Sequence, residues 1–243
     1  MRYLIKFSYD GTNYKGFQSQ GKLNTIQQQM EIALTKINNG IKTKIVATGR
    51  TDKGVHALSQ YGHADIDVNI TEKKLKRALN SNLPNDIHVI STKVVDNSFH
   101  ARYNVKRKTY KYLINVGEYN PLERNHVYQY NYSLNINNMK QAIKYFEGKH
   151  DFRAFVTNNK EKDNCIRKIE YADIKQIDNI INITFKGTGF LRYQVRNMVG
   201  ILIRVGENKI NPEYVKVILE SKDRNKSGKT APPEGLYLLD IEY

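Results

Sequence analysis

Residues Arg2 to Tyr9 place Tyr3, Ile5, Phe7 and Tyr9 on one face and Leu4, Lys6 and Ser8 on the other, the period-two pattern of a strand. The period then becomes helical. Ile26, Met30, Ala33, Leu34 and Ile37 recur at helix spacing after Thr25, a residue suited to accept a backbone N–H at a helix start, and Asn38-Asn39-Gly40 ends the run. Thr43 to Thr48 is rich in β-branched residues and reads as a strand, with another expected near Tyr61 to Val68. Thr71 and Glu72 open a helix through Leu79 that stops around Leu83-Pro84, and Ile87 to Val94 reads as a strand.

The second half loosely repeats this order. A long strand is expected over Lys108 to Val116, a helix near Asn135 to Phe146, and strands over Ile166 to Ile177 and Ile180 to Phe185. A helix near Arg192 to Val205 follows, and Pro212 suits the first turn of a further helix ending near Leu219. The polar run Ser221 to Lys229 reads as a mobile loop before a last strand, Leu236 to Ile241. The pattern is α+β with two similar halves, divided here as residues 1–104 and 105–243. No sequence repeat links the halves, so duplication rests on pattern alone.

A chain of 243 residues can bury a sizeable core, as one large domain or two small ones. Its 39 Lys plus Arg against 24 Asp plus Glu give a formal charge of +15, which points to a polyanionic partner. Compositional drift toward Lys, Asn and Ile produces the same excess, so charge alone leaves both readings open. The 17 Tyr offer flat faces for unstacked bases, each stack being worth roughly 1–3 kcal/mol. Cys165 is the sole cysteine, which excludes an intrachain disulfide and a cysteine-based zinc cluster and reads as an inert structural thiol. The N-terminus turns polar too soon for a signal peptide, and the apolar stretch Gly200 to Val205 is broken by Arg204, so a soluble cytoplasmic protein with no membrane partner is expected.

Gly49-Arg50-Thr51-Asp52-Lys53-Gly54-Val55-His56-Ala57 sets a carboxylate between two cations in a short loop bounded by glycines, expected to leave the sheet end after Thr48 with Asp52 near its tip. Read alone, this is a presented nucleophile or ordinary turn chemistry with Asx hydrogen bonds and solvated charge. The run resembles the active-site loop of the tRNA pseudouridine synthase A family, whose signature reads Gly-Arg-Thr-Asp-x-Gly-Val-His-Ala. Other segments resembling that family follow in order: Tyr9-Asp10-Gly11-Thr12-Asn13-Tyr14, Phe99-His100-Ala101-Arg102, Lys108-Thr109-Tyr110-Lys111-Tyr112 and Gly148-Lys149-His150-Asp151-Phe152. Phe190 to Gly200 and Ala231-Pro232-Pro233-Glu234-Gly235-Leu236 complete the set, so the resemblance spans essentially the whole chain. Phe17 departs from it where the family usually carries Trp, though an aromatic is kept.

The resemblance implies two ferredoxin-like α/β lobes sharing a continuous antiparallel sheet with a basic central cleft. It implies isomerisation of uridine to pseudouridine in the anticodon stem-loop of tRNA, at the uridines conventionally numbered 38, 39 and 40, by a homodimer. Such a reaction breaks the N1–C1′ bond and rejoins the base through C5, so no redox cofactor or metal is expected. Asp52 is implied as nucleophile or base at the sugar, the role carboxylates play against an electron-poor anomeric carbon in glycosidases. Arg196 is implied as its cationic partner, reaching from the other lobe and favouring the charged carboxylate. By residue pattern alone, Arg196 sits in an apolar helical stretch and is either paired on its buried side or solvated. Tyr110 is implied as the residue that stacks on the flipped base, although it shares a strand face with Tyr112, Ile114 and Val116 and periodicity assigns it to the core. Arg50 is implied to enter the space left by the extruded nucleotide, and Leu236 to line the base pocket, although a Leu opening a last strand is also ordinary core.

His56, His63, His100 and His150 have no zinc-type spacing. The His-x-Glu and Pro-Cys-x-x-Cys elements of a zinc deaminase are absent, and Gly187-Thr188-Gly189-Phe190-Leu191-Arg192 fails the dinucleotide and P-loop patterns. Two other readings stay open: a related synthase acting on ribosomal RNA, with specificity in loops such as Asn158 to Lys162 and Ser221 to Lys229, or a non-catalytic RNA-binding protein on the same scaffold.

Overall fold

The computed structural model describes residues 1–21, 23–156 and 164–243; the loop expected at Asn158 to Lys162 lies outside them. The elements run β1 (Arg2–Tyr9), α1 (Ile26–Ile37), β2 (Val46–Ala47), β3 (His56–Asp65), α2 (Glu72–Asn82), β4 (Ile87–Val95) and β5 (Arg107–Asn115). They continue as β6 (Tyr128–Gln129), α3 (Ile136–Lys144), β7 (Gly148–Asp151), β8 (Ile166–Ile177), β9 (Ile180–Gly187), α4 (Gln194–Gly206), α5 (Tyr214–Ser221) and β10 (Leu236–Glu242). This is the α+β class expected from the pattern, with mostly antiparallel strand pairing. No helix among the described residues is long and apolar enough to cross a membrane. The chain divides into two compact units, Met1–Lys106 with Leu238–Tyr243, and Arg107–Tyr237.

In the first unit β1 pairs antiparallel with β3 and with β4, and β2 pairs antiparallel with β3. Alternate residues of β1, namely Tyr3, Ile5, Phe7 and Tyr9, are buried, as the period-two pattern requires. Ile26, Met30 and Leu34 of α1 and Leu75 and Leu79 of α2 complete this core. Thr25 caps α1 by accepting the N–H of Gln28, whereas Thr71 makes no side-chain cap at α2. Two strand assignments change. The stretch Thr43 to Thr48 contracts to the two residues of β2, and the strand expected near Tyr61 to Val68 begins earlier, at His56. Alternation failed there because most residues of β3 are covered on both sides, including the polar His56, Ser59, Gln60 and His63. The Asp52 loop therefore connects two neighbouring antiparallel strands directly.

In the second unit β5 pairs with β9, β9 with β8 and β8 with β7, all antiparallel, and the short β6 runs parallel to β5. Tyr112 and Ile114 of β5, Ile183 and Phe185 of β9, Met139 and Ile143 of α3, and Met198 and Leu202 of α4 are fully buried together with Phe146, Phe152 and Phe155. α4 begins at Gln194 rather than Arg192, because Tyr193 adopts a left-handed φ of 62°. The run 221–229 is not an open loop: it contains a 3-10 turn, Arg224–Ser227, whose Ser227 is fully buried.

Candidate active site

Gly49 to Val55 bridges β2 and β3 and is tied down on both flanks. Thr48 donates its backbone N–H to the Tyr61 carbonyl at 2.9 Å, and its hydroxyl lies 2.6 Å from the Tyr243 hydroxyl. The Gln60 side-chain amide donates to the Gly49 carbonyl at 3.1 Å. Thr51 is held twice, its hydroxyl 2.8 Å from that of Tyr9 and its carbonyl accepting the Phe17 N–H at 3.1 Å. Tyr9 is buried among the rings of Phe7 and Phe17, and burial pushes its phenol up to about 12 despite hydrogen bonds to Thr51 and Gln60. Phe17, 2% exposed, thus serves as core beneath the loop.

Beyond Thr51 the chain turns. Val55 donates its N–H to the Asp52 carbonyl at 3.2 Å, and Gly54 has a φ of 77°, a conformation that a side chain disfavours. Gly11 crosses so close to the exit of this turn that a Cβ there would lie 2.1 Å from the Val55 carbonyl oxygen. The next residue, His56, is buried, and its Nδ1 lies 3.1 Å from both the Gly11 nitrogen and an Asp10 carboxylate oxygen. Nδ1 accepts from Gly11 when unprotonated and donates to Asp10 when protonated. Thr51 and Val55 are buried, Asp52 between them is half-buried and Arg50 is exposed. The loop thus presents its carboxylate from a fixed base.

In the second unit Tyr110 lies on β5 opposite Phe185 of β9, and its ring meets Phe190 edge-on at 5.1 Å. It is 9% exposed, as buried as its place on the strand face led periodicity to expect. Arg196 lies in the first turn of α4, half-buried. Its Nε donates to the Ala231 carbonyl at 2.7 Å, and Ala231 returns its N–H to the Arg196 carbonyl at 3.1 Å. The Arg196 guanidinium carbon stands 5.3 Å from the ring centroid of Tyr193, and that of Arg192 stands 5.0 Å away from the same ring. A left-handed tyrosine costs on the order of 1–2 kcal/mol; here it sets that ring against both cations.

Residues 231–236 connect α4 to the strand that carries Tyr110. The Tyr112 hydroxyl donates to the Pro232 carbonyl at 2.7 Å, and Leu113 donates its N–H to Gly235 at 2.9 Å. Burial raises the Glu234 carboxyl above its ordinary range, with Arg196 pulling the other way. Leu236 is buried at the start of β10. Of the residues singled out from sequence, Arg50 and Asp52 share one loop, while Arg196 and Leu236 join through this one segment. Tyr9, Thr51, Gln60 and Glu234 received no role from sequence. The available signal was Gln60, a polar residue in a buried strand.

The sequence profile of the tRNA pseudouridine synthase family matches residues 5–104 and 142–243. The chain belongs to this family. Among curated relatives, tRNA pseudouridine synthase A of Pseudothermotoga lettingae is 44% identical over 100% of this chain and 99% of its own length. The tRNA pseudouridine synthase A of Limosilactobacillus reuteri is 41% identical over 100% of this chain and 96% of its own. A solved Cbf5-Nop10-Gar1 complex contains a chain 13% identical to this one with a TM-score of 0.33, the match covering 82% of this chain and about half, 54%, of that one. In this pseudouridine synthase Arg50, Asp52, Arg196 and Leu236 fall within the profile match, whereas Tyr110 lies between its two stretches and within the full-length matches to both relatives.

Proposed function

We propose that this synthase isomerises uridine to pseudouridine in the anticodon stem-loop of tRNA, at positions 38, 39 and 40, acting as a homodimer. The observation that carries this reading is the intact Gly49–Ala57 signature, held from beneath by Tyr9, Phe17 and Gln60, in a chain matched over its full length by tRNA pseudouridine synthase A relatives. The reaction breaks N1–C1′ and forms C5–C1′; C5 loses a proton and N1 gains one, so the atoms balance with nothing consumed. Asp52 supplies the carboxylate at the sugar, by attack on C1′ or by removal of the C2′ proton. Arg196 is the cation that keeps Asp52 ionised. Tyr110 stacks on the extruded base, Arg50 occupies the space it leaves, and Leu236 lines its pocket. Asp52 and Arg50 lie in the first unit, and Tyr110, Arg196 and Leu236 in the second.

Purified Asp52→Ala is expected to lose isomerisation of tRNA while binding it with near wild-type affinity, since the carboxylate supplies no phosphate contact. Turnover by that variant would remove Asp52 from the chemistry. Base-resolution mapping of RNA from cells with and without the gene tests the target: loss of pseudouridine at 38–40 is expected, and loss confined to ribosomal RNA would overturn the tRNA assignment.

A further inference from the structure

Arg224 is held almost entirely by neutral groups. Its Nη1 donates to the Ser227 hydroxyl and the Gly228 carbonyl, both at 2.7 Å, and its Nη2 to the Asn197 side-chain carbonyl and the Thr230 hydroxyl, both at 3.0 Å. Its Nε is buried with no hydrogen-bond partner among the described residues, and burial lowers the guanidinium pKa. A half-buried cation among neutral acceptors bears a desolvation cost, and among the described residues no carboxylate is paired with it to offset that cost. Local rules broken in this way concentrate where function demands them.

The surrounding contacts show what the arrangement holds. Thr230 donates its hydroxyl to Asn197 Oδ1 at 2.6 Å, and the Asn197 amide donates to the Phe155 carbonyl at 2.6 Å. Lys229 runs so close to α4 that a Cβ on Gly200 would lie 2.0 Å from its carbonyl oxygen. Two residues on, Ala231 exchanges two hydrogen bonds with Arg196. Residues 228–231 are thus laid on α4 along Arg196, Asn197 and Gly200, with Arg224 as the clasp.

We infer that Arg224 is a positioning residue for Arg196: by tying Gly228 and Thr230 to Asn197, it fixes the Ala231 carbonyl that orients the Arg196 guanidinium. The inference rests on the role proposed above for Arg196. It moves the run 221–229 from an RNA-specificity surface to the support of the chemistry.

The test is steady-state kinetics on tRNA for Arg224→Gln and for Thr230→Val, the latter removing only the hydroxyl at the centre of the network. Each is expected to lower kcat by about tenfold or more with KM changed by no more than about twofold, and the double variant should be no worse than the poorer single one. Thr230→Ser, which restores the hydroxyl, should recover most of the lost kcat. A rise in KM at unchanged kcat would overturn the inference in favour of an RNA contact. Lowered urea resistance with wild-type kcat in the folded variants would reduce the clasp to a structural prop and also overturn it. Arg196→Ala, run in parallel, separates the two readings: full activity there defeats the role of Arg196 itself, whereas loss there with wild-type kcat in Thr230→Val defeats only the clasp.

Discussion

Thr51 has its hydroxyl committed to Tyr9 and its carbonyl to the Phe17 backbone, one residue before Asp52. The role proposed for Asp52 at a sugar carbon needs its position fixed, since a misplacement of an ångström is costly in rate. With its phenol pushed up to about 12, Tyr9 keeps its proton at any neutral pH, so the tether does not titrate in the working range. Tyr9→Phe keeps the ring between Phe7 and Phe17 and removes only the bond. It should lower stability to urea by about 1–2 kcal/mol, the cost of a buried polar group losing its partner, and should lower kcat more than it raises KM. Wild-type kcat in folded Tyr9→Phe would show that the loop needs no such tether.

The elements differ in how openly the sequence declares them. β1 and α1 carry clean periods and fall where those periods put them. The start of β3 was hidden, because burial on both sides lets polar residues such as Ser59 and Gln60 face inward and erases alternation. β6 and β7 are too short, at two and four residues, to show any period. The Asp52 loop was legible from its own letters, but its supports were not, since Tyr9, Phe17, Gln60 and Tyr243 meet it only through pairing distant in sequence. The turn at Arg224 was misread for the same reason: a Lys, Asp, Arg, Asn and Ser run looks solvated until α4 lies beside it. α4 carries its own test at Gly200. Ala is the better helix former by about 1 kcal/mol, yet Gly200→Ala would drive a methyl into the Lys229 carbonyl. A net destabilisation of about 1–3 kcal/mol is expected from such overpacking, read as a lower urea midpoint; an unchanged or raised midpoint would mean that residues 228–231 yield freely.

For the protein as a whole, His63 is one group through which pH acts on stability. Its Nδ1 accepts the Ala101 N–H at 3.1 Å, and burial first, then Arg2 and His100, hold its pKa below the ordinary imidazole value, with Asp65 opposing. The unfolded chain therefore binds the proton more readily than the folded one. Stability should fall as pH drops from the ordinary imidazole range, near 6.5, toward the lower folded value, and be constant above it with respect to this group. His63→Asn, which keeps an acceptor but cannot titrate, should flatten the urea midpoint between pH 7.5 and 5, and an identical slope in both proteins would assign the effect elsewhere. The chain path has a consequence in time. Residues 238–243 belong to the first unit: Glu242 accepts the Lys106 N–H at 2.8 Å, and the Tyr243 hydroxyl meets Thr48 at the mouth of the Asp52 loop and donates to Ala101 at 3.0 Å. A ribosome must make all of Arg107–Tyr237 before these residues exist, a delay on the order of ten seconds at typical elongation rates. Throughout that interval the Gly49–Ala57 loop of the nascent chain stands without the Tyr243 hydroxyl that meets Thr48 beside it.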